Sequence, residues 1–300
     1  MNDRIMKIQA WDCVQSHIAF PDQAAYFQFK SDWFNSLRLN KAGYAEVSVV
    51  DLLRFIGCLA SIETNKQRQL AALLILAEIE QNVQGLPEDD LLLITVEDTI
   101  DQCRDLIQRL SFDPVLKAFV DESSQDLSLV QCIHLRQDSN GQEYFIGMVY
   151  NGQDMEKSVR ALHKAGIKDF VINTYHCNPS KRVNYEAAAL KCFIEFIEFQ
   201  DIDATITLVG EFHHPIVLSH YGAQVYYGLL SVCQQGPEKL STLFPENGQK
   251  VFQAFVSGQV SIKDQTLSID GLEITFPPEA LQKVYESIAS ETAPESAPRQ

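Results

Sequence analysis

Short apolar runs alternate with longer segments of helical periodicity between residues 143 and 230, and this alternation constrains the fold more than any other feature. The helical segments are 154–166 and 184–199, where apolar residues recur every three or four positions. The strand-like runs are EYFIGMVY (143–150), DFVINTY (169–175), ATITLV (204–209) and AQVYYGLL (223–230). Strands that alternate with helices build a mainly parallel sheet through right-handed crossovers. We therefore predict an α/β protein with a (β/α) core, either a distorted or incomplete TIM-like barrel or an open doubly wound sheet.

The flanking segments predict smaller additions to this core. We expect one domain over residues 1–290, followed by a disordered tail at 291–300 that has no apolar periodicity. The parts of the domain are an N-terminal β segment (1–46), a helical hairpin (47–85), the β/α core (91–235) and a C-terminal β-hairpin with a closing helix (236–290).

Two patterns at the start of the core depart from regular repeats. LLLITV (91–96) predicts a buried strand, with Asp98 as the cap of the helix that follows. SLVQCIHL (128–135) is joined to the run at 143–150 through Asn140-Gly141, a strong hairpin signal. Because these two runs are expected to pair antiparallel, eight regular β/α repeats are not expected.

The charge of the chain disfavours several classes of partner. Lys and Arg together number 24 against 40 Asp and Glu, a formal net charge of −16. Such a field repels polyphosphates and anionic lipids, so we expect no nucleic acid and no membrane as direct partners. No stretch reaches the roughly 18 uninterrupted apolar residues of a membrane helix.

Cysteine usage and nucleotide motifs bear on compartment and cofactor. The seven cysteines are scattered and never spaced as C-x-x-C, which excludes a zinc ribbon and favours a reduced, cytoplasmic protein. Neither G-x-G-x-x-G nor G-x-x-x-x-G-K-[ST] occurs, so no nucleotide cofactor is predicted. The sequence leaves the cofactor and the oligomeric state undetermined.

The stretch LVGEFHHPIVLSHYG (208–222) carries the densest group of chemically active side chains. Ligand sites of β/α folds lie at the carboxyl ends of the parallel strands, where Glu211 and His213 follow one predicted strand and His176 follows another. We predict Glu211, His213 and His176 as catalytic residues. Neighbouring His213 and His214 should split their roles, because successive side chains of an extended chain point to opposite sides.

Polar side chains at the same predicted strand ends are candidates for substrate binding. Asn173 and Tyr175 belong to one run, Tyr150 ends another, and Tyr226 lies in the run at 223–230. Their amide and phenol groups would contact a small polar substrate at this rim. The alternative is that these groups are ordinary polar residues at the ends of buried strands.

Two chemistries fit the Glu/His group, and neither has a motif of fixed spacing. A carboxylate beside an imidazole can perform acid–base catalysis in a hydrolase or lyase. The same atom types could bind a divalent transition metal, although the spacing is not that of H-E-x-x-H. The metal is therefore left unassigned.

A protein of a different functional class is also compatible with the sequence. In that hypothesis the chain is a non-catalytic, acidic protein-interaction or scaffold protein. Its docking surface would be the N-terminal aromatic cluster, formed by Tyr26, Phe27, Phe29, Trp33 and Phe34. The enzyme hypothesis instead requires Glu211, His213 and His176 to lie close together.

Overall fold

A computed structural model shows that the protein is a mixed α/β chain that divides into two compact units. The N-terminal unit is Met1–Gly147 with Arg160–Ile167, and the C-terminal unit is Met148–Val159 with Lys168–Gln300. The expectation of one domain over 1–290 stays a prediction. The structure describes residues 5–8, 17–29, 31, 45–48, 56, 65–122, 127–150, 154–175, 177–200, 204–210, 213–263, 266–269 and 272–275.

Helices form most of the described N-terminal unit. They are α1 (Gln23–Phe29), α2 (Lys66–Val83), α3 (Leu91–Arg109), α4 (Pro114–Glu122) and a 3-10 helix (Leu127–Cys132). A further helix, α5 (Met155–Lys164), is shared between the two units. Strands β1 (Ile5–Ile8) and β2 (Ala45–Ser48) pair antiparallel, so the predicted helical hairpin at 47–85 begins later than expected. Its second helix is confirmed as α2, and its first lies outside the described residues except for Ile56.

Helix α2 is buried on almost every side and forms the core of its unit. Asn65 caps it by accepting a hydrogen bond from the backbone nitrogen of Arg68 at 3.1 Å. Its buried Gln69 accepts from the backbone nitrogen of Asp113 (3.0 Å) and donates to the carbonyl of Ser111 (3.3 Å). A buried amide that has both kinds of partner avoids the cost of an unsatisfied polar group.

The predicted strand LLLITV (91–96) is wrong, because these residues form the first turns of α3. Asp90 caps the helix by accepting from the backbone nitrogen of Leu92 at 2.9 Å. The buried residues then recur at helical spacing through Val96, Ile100, Cys103 and Ile107. The apolar run at the start of the helix had hidden this longer period.

The hairpin around Asn140-Gly141 is confirmed. Strands β3 (Ile133–Gln137) and β4 (Glu143–Tyr150) pair antiparallel, with Leu135 opposite Phe145. Gly141 has φ of +79°, which glycine adopts without the penalty of a side chain. The strand predicted at 128–135 is only partly correct, because residues up to Cys132 form the 3-10 helix.

The C-terminal unit contains the confirmed parallel pair. Strands β5 (Asp169–Asn173) and β6 (Thr205–Gly210) are parallel neighbours, and β7 (His213–Leu218) pairs antiparallel with β6. The strand order in this sheet is β3-β4-β5-β6-β7, with β4 shared between the units. The sheet is not closed, so the fold is α/β and the predicted barrel is not confirmed.

In the described part of the C-terminal unit, four helices follow β5. They are α6 (Pro179–Gln200), α7 (His220–Gln234), α8 (Pro237–Leu243) and α9 (Gly248–Ser257). The strand predicted at 223–230 is wrong, because that run is the middle of α7 and is buried on several faces. Pro215 lies in β7, an edge strand where a missing N–H is tolerated.

The predicted C-terminal hairpin is confirmed as three antiparallel strands. They are β8 (Ser261–Lys263), β9 (Thr266–Ile269) and β10 (Leu272–Thr275), in the order β10-β9-β8. The closing helix and the tail at 291–300 lie outside the described residues. In the described part of the chain, no helix has both the length and the hydropathy that crossing a membrane requires.

Candidate functional site

The carboxyl ends of β5 and β6 lie side by side. Asn173, the last residue of β5, is opposite Val209 in the parallel register. Thr174 continues the connection, because its backbone nitrogen (2.8 Å) and its hydroxyl (3.0 Å) both donate to the carbonyl of Val209. Thr174 is buried, so these two bonds fix the start of the loop after β5 against the end of β6.

The loop after β5 turns at once. The backbone nitrogen of Cys177 donates to the carbonyl of Thr174 at 3.0 Å, which closes a four-residue turn. His176, one of the predicted catalytic residues, lies outside the described residues, although its neighbours Tyr175 and Cys177 belong to this turn.

The hairpin between β6 and β7 brings a second predicted residue to the same edge. Gly210 is the register partner of His213, so only Glu211 and Phe212 connect these paired positions. Glu211 itself lies outside the described residues, and of His213 only the backbone is described. The burial of β7 alternates from exposed Pro215 to buried Leu218, while the split of His213 and His214 stays a prediction.

Two of the predicted substrate-binding residues lie at this edge. The side-chain oxygen of Asn173 accepts from the backbone nitrogen of Tyr175 at 3.0 Å. The side-chain nitrogen of Asn173 lies 3.7 Å from the sulfur of Met148, a weak acceptor that a substrate oxygen could replace at little cost. Tyr175 is 50% exposed, so its phenol is open to solvent.

The other two predicted substrate-binding residues differ in position. Tyr150 is the half-buried last residue of β4. Tyr226 lies in α7 instead of at a strand end, and its ring is fully buried 5.3 Å from that of Phe255. Burial, and then the negative charge of Glu186, raise the pKa of Tyr226 well above its usual value. Tyr226 is therefore not at a strand end, the position on which its predicted substrate-binding role depended.

His220, which belongs to the stretch 208–222, is at the opposite edge of the sheet. It begins α7 two residues after Leu218, which pairs with Ile206 near the amino end of β6. Because β7 runs antiparallel, it carries the chain away from the edge at Gly210.

A buried charged cluster near the start of α6 was missed by the sequence analysis. Arg182 and Glu186 are 1% and 0% exposed, and the guanidinium donates to the carboxylate at 3.1 Å. The same guanidinium donates to the carbonyls of Phe255 and Val256 at the end of α9. The R-x-x-x-E spacing was visible in the sequence, but such helix pairs are usually solvated.

This cluster does not activate the neighbouring thiol. Burial raises the pKa of Cys177, and the charge of Glu186 adds to the effect while Arg182 opposes it. A thiol with a raised pKa is a poor nucleophile at neutral pH.

The described residues contain no group of three or more His, Cys, Asp or Glu that could bind a metal ion. Comparisons of the chain with family models, with curated proteins and with solved structures gave no match. The candidate site is therefore the edge formed by the carboxyl ends of β5 and β6.

Proposed function

We propose that the protein is an enzyme whose site lies at the carboxyl ends of β5 and β6. Glu211, His176 and His213 are its catalytic residues, and a small polar substrate is the molecule on which it acts. The proposal includes a cytoplasmic location, which the scattered cysteines favour.

The parallel pairing of β5 and β6 is the observation that supports this proposal. It aligns Asn173 with Val209, and Thr174 bonds to Val209 through two hydrogen bonds. His176 follows Tyr175 in the sequence and Glu211 follows Gly210, so we expect both residues near this edge. Parallel α/β sheets bind their ligands at this edge.

The chemistry of the proposed site is acid–base catalysis by a hydrolase or lyase. Glu211 would take a proton from a water molecule or from the substrate, and His176 or His213 would donate one to the leaving group. Asn173 and the exposed Tyr175 would position polar groups of the substrate. The same carboxylate and imidazoles have the atom types that a divalent transition metal binds.

Glu211→Gln tests the proposal, because it keeps the shape of the side chain and removes its charge. The measurement is turnover of nitrophenyl esters, phosphates and glycosides, together with zinc binding by calorimetry. We expect Glu211→Gln and His213→Asn to lower kcat/KM at least about 100-fold, the usual contribution of a general acid or base. The melting temperature should stay nearly unchanged.

Glu195→Gln is the matched control for this experiment. Glu195 lies in α6, where its exposed carboxylate is 3.9 Å from the amine of Lys191. This variant should keep full turnover and full zinc binding. If Glu211→Gln instead lowers the melting temperature and changes neither measurement, its carboxylate is a structural hydrogen-bond acceptor and the enzyme proposal fails.

A protein-interaction role is the second candidate, and one observation favours it. Phe27 of α1 is 54% exposed, while its neighbours Tyr26 and Phe29 pack around Phe20. An exposed ring beside a packed aromatic group can dock onto a protein partner. In that case Phe27→Ser would abolish association with the partner, and Glu211→Gln would have no effect on it.

A further inference from the structure

Two buried histidines stack on each other in the N-terminal unit. The ring centroids of His17 and His134 are 4.3 Å apart with an angle of 29° between the planes, and the residues are 7% and 1% exposed. His134 belongs to β3, and His17 begins the segment of residues 17–29, which we call the N-terminal strap.

The first residues of the strap contact the edge of β3. The backbone nitrogen of Ala19 donates to the carbonyl of Leu135 at 3.0 Å, next to a parallel bridge between Ile18 and Leu135. Ala19, which makes this backbone hydrogen bond, is two residues after the stacked His17. The imidazoles therefore help to fix the strap at this position.

The partners of the two rings determine where their protons lie. A ring nitrogen of His17 is 2.9 Å from the carbonyl oxygen of Gln131, which only accepts, so this Nε2 carries hydrogen. Nδ1 of His134 is 3.3 Å from a guanidinium nitrogen of Arg136, which only donates. Nδ1 of His134 is therefore the acceptor, and this imidazole is neutral.

A proton added to Nδ1 of His134 would face positive charge. It would remove the hydrogen bond from Arg136 and place two cations at the same contact, with the ring of His17 stacked above. A like charge at such a distance disfavours protonation of a buried histidine.

Several charged groups that the structure describes on the surrounding elements have partners within the unit. On β4, Glu143 accepts a hydrogen bond from Gln67 at 3.0 Å. Asp138 of the hairpin loop accepts from the backbone nitrogens of Asn140 and Gln142. On α2, the amine of Lys66 lies 5.6 Å above the ring of Phe145 in β4. Phe145 is next to Ile146, the residue that pairs with His134, so the side chains of Phe145 and Ile146 point to opposite faces of the sheet. Helix α1 and the 3-10 helix contain no charged residue.

We propose that the stacked His17–His134 pair is an acid-sensitive latch that holds the N-terminal strap on the edge of β3. Above about pH 6.5 both rings are neutral and the strap is bound. Below this pH both imidazoles bind protons once the strap is released, whereas the stacked pair excludes them. Protonation therefore favours release. Release exposes the backbone of β3, an edge strand that can then pair with another chain.

The size of the effect follows from proton linkage. Each excluded proton raises the equilibrium constant for release about tenfold per pH unit below the ordinary histidine pKa of about 6.5. Between pH 7 and pH 5 we therefore expect an increase of about tenfold or more.

Hydrogen exchange of the Ala19 amide measures this release directly. The protection factor, corrected for the intrinsic exchange rate at each pH, should fall by about tenfold or more between pH 7 and pH 5 in the wild type. In His17→Gln/His134→Asn it should stay nearly constant, because the side-chain amides keep a donor and an acceptor but do not titrate in this range.

His220→Asn is the matched control, since His220 lies in the C-terminal unit. This variant should lose protection at acid pH as the wild type does. Equal pH dependence in the wild type and the double variant would overturn the proposal, as would constant protection in the wild type.

A second measurement decides the question if the double variant does not fold. Wild-type protein labelled with ¹³C at histidine Cε1 is titrated by NMR, and single variants assign the ring signals. We expect the midpoint of His134 to lie below 6.5. A midpoint at or above 6.5 would mean that the stack accepts protons as readily as a free histidine, and the latch would be rejected.

Discussion

At the residue scale, Arg182 connects two helices of the C-terminal unit. Its guanidinium pairs with Glu186 one turn later in α6 and donates to the carbonyls of Phe255 and Val256. These carbonyls belong to the last turn of α9, where the regular helical hydrogen bonds run out. The carbonyl of Phe255 also accepts from the backbone nitrogen of Gly258 at 3.3 Å. The positive charge also lies at the negative end of the helix dipole, which stabilises the arrangement.

Removing one charge of the buried pair Arg182–Glu186 should lower the free energy of unfolding more than removing both charges. We expect Glu186→Ala to lower the free energy of unfolding by about 3 to 5 kcal/mol, because the guanidinium stays buried without its counter-ion. Arg182→Met/Glu186→Leu should be less destabilised, although the carbonyls of Phe255 and Val256 lose the hydrogen bonds from Arg182. Urea unfolding followed by circular dichroism measures these differences.

The exposed pair in the same helix is the control for this prediction. Lys191 and Glu195 are 3.9 Å apart and more than half exposed. Glu195→Ala should change the free energy of unfolding by less than about 1 kcal/mol, as is usual for surface pairs. If Glu186→Ala is equally mild, the buried pair does not stabilise the unit in the way we describe.

At the scale of secondary-structure elements, the contact between α8 and α9 depends on a glycine. A Cβ atom at Gly248 would overlap with the backbone of Ser241, which cannot move as a side-chain end can. Gly248→Ala should therefore lower the free energy of unfolding by about 1 to 3 kcal/mol, the usual cost of overpacking. Thermal and urea unfolding measure the change.

Gly222→Ala is the matched control for this substitution. Gly222 lies in α7, and a Cβ atom there would meet only side-chain atoms, the nearest at 3.4 Å. Since alanine favours helix by about 1 kcal/mol over glycine, this variant should be neutral or slightly stabilised. A loss of stability in Gly222→Ala as large as that in Gly248→Ala would contradict the packing argument.

The sequence predicted those elements whose period is unambiguous. Two such predictions are confirmed, the Asn140-Gly141 hairpin and the parallel pair β5–β6. Turn residues define the hairpin, and the flanking amphipathic helices define the parallel pair. The runs at 91–96 and 223–230 were assigned as strands, and both are helix. A run of apolar residues is compatible with either structure, and the N-caps Asp90 and Ser219 decide for helix.

The candidate site could be predicted only in part for the same reason. The pairing of β5 with β6 brings the connections after Asn173 and Gly210 to one edge, as expected. Tyr226 is expected at that edge only if residues 223–230 form a strand, and these residues form part of α7. The spacing of Arg182 and Glu186 is visible in the sequence but their burial is not, because burial of a charge depends on which helix packs against it.

At the scale of the whole molecule, the pKa shifts of buried groups predict that the two units lose stability at different pH. In the N-terminal unit, burial lowers the pKa of His163, so its contribution is lost as the pH falls below about 6.5. In the C-terminal unit, burial raises the pKa of Cys233 to about 12 and also raises that of Tyr226. Unfolding would free these groups to ionise, so stability is lost as the pH rises above about 9 to 10.

This difference predicts a plateau of stability between about pH 7 and pH 9, with a decline on either side. The midpoint of urea unfolding should fall between pH 9 and pH 10.5, where the unfolded chain releases protons that the folded unit keeps on Cys233 and Tyr226. The double variant Cys233→Ser/Tyr226→Phe should flatten this alkaline decline, and Tyr144→Phe, which alters an exposed phenol, should not. His163→Asn should make the acid decline smaller, with the stacked His17–His134 pair accounting for the remainder, and should leave the alkaline decline unchanged. An alkaline decline that is the same in the double variant as in the wild type would show that other groups cause it, and that the burial of Cys233 and Tyr226 does not set the upper limit of stability.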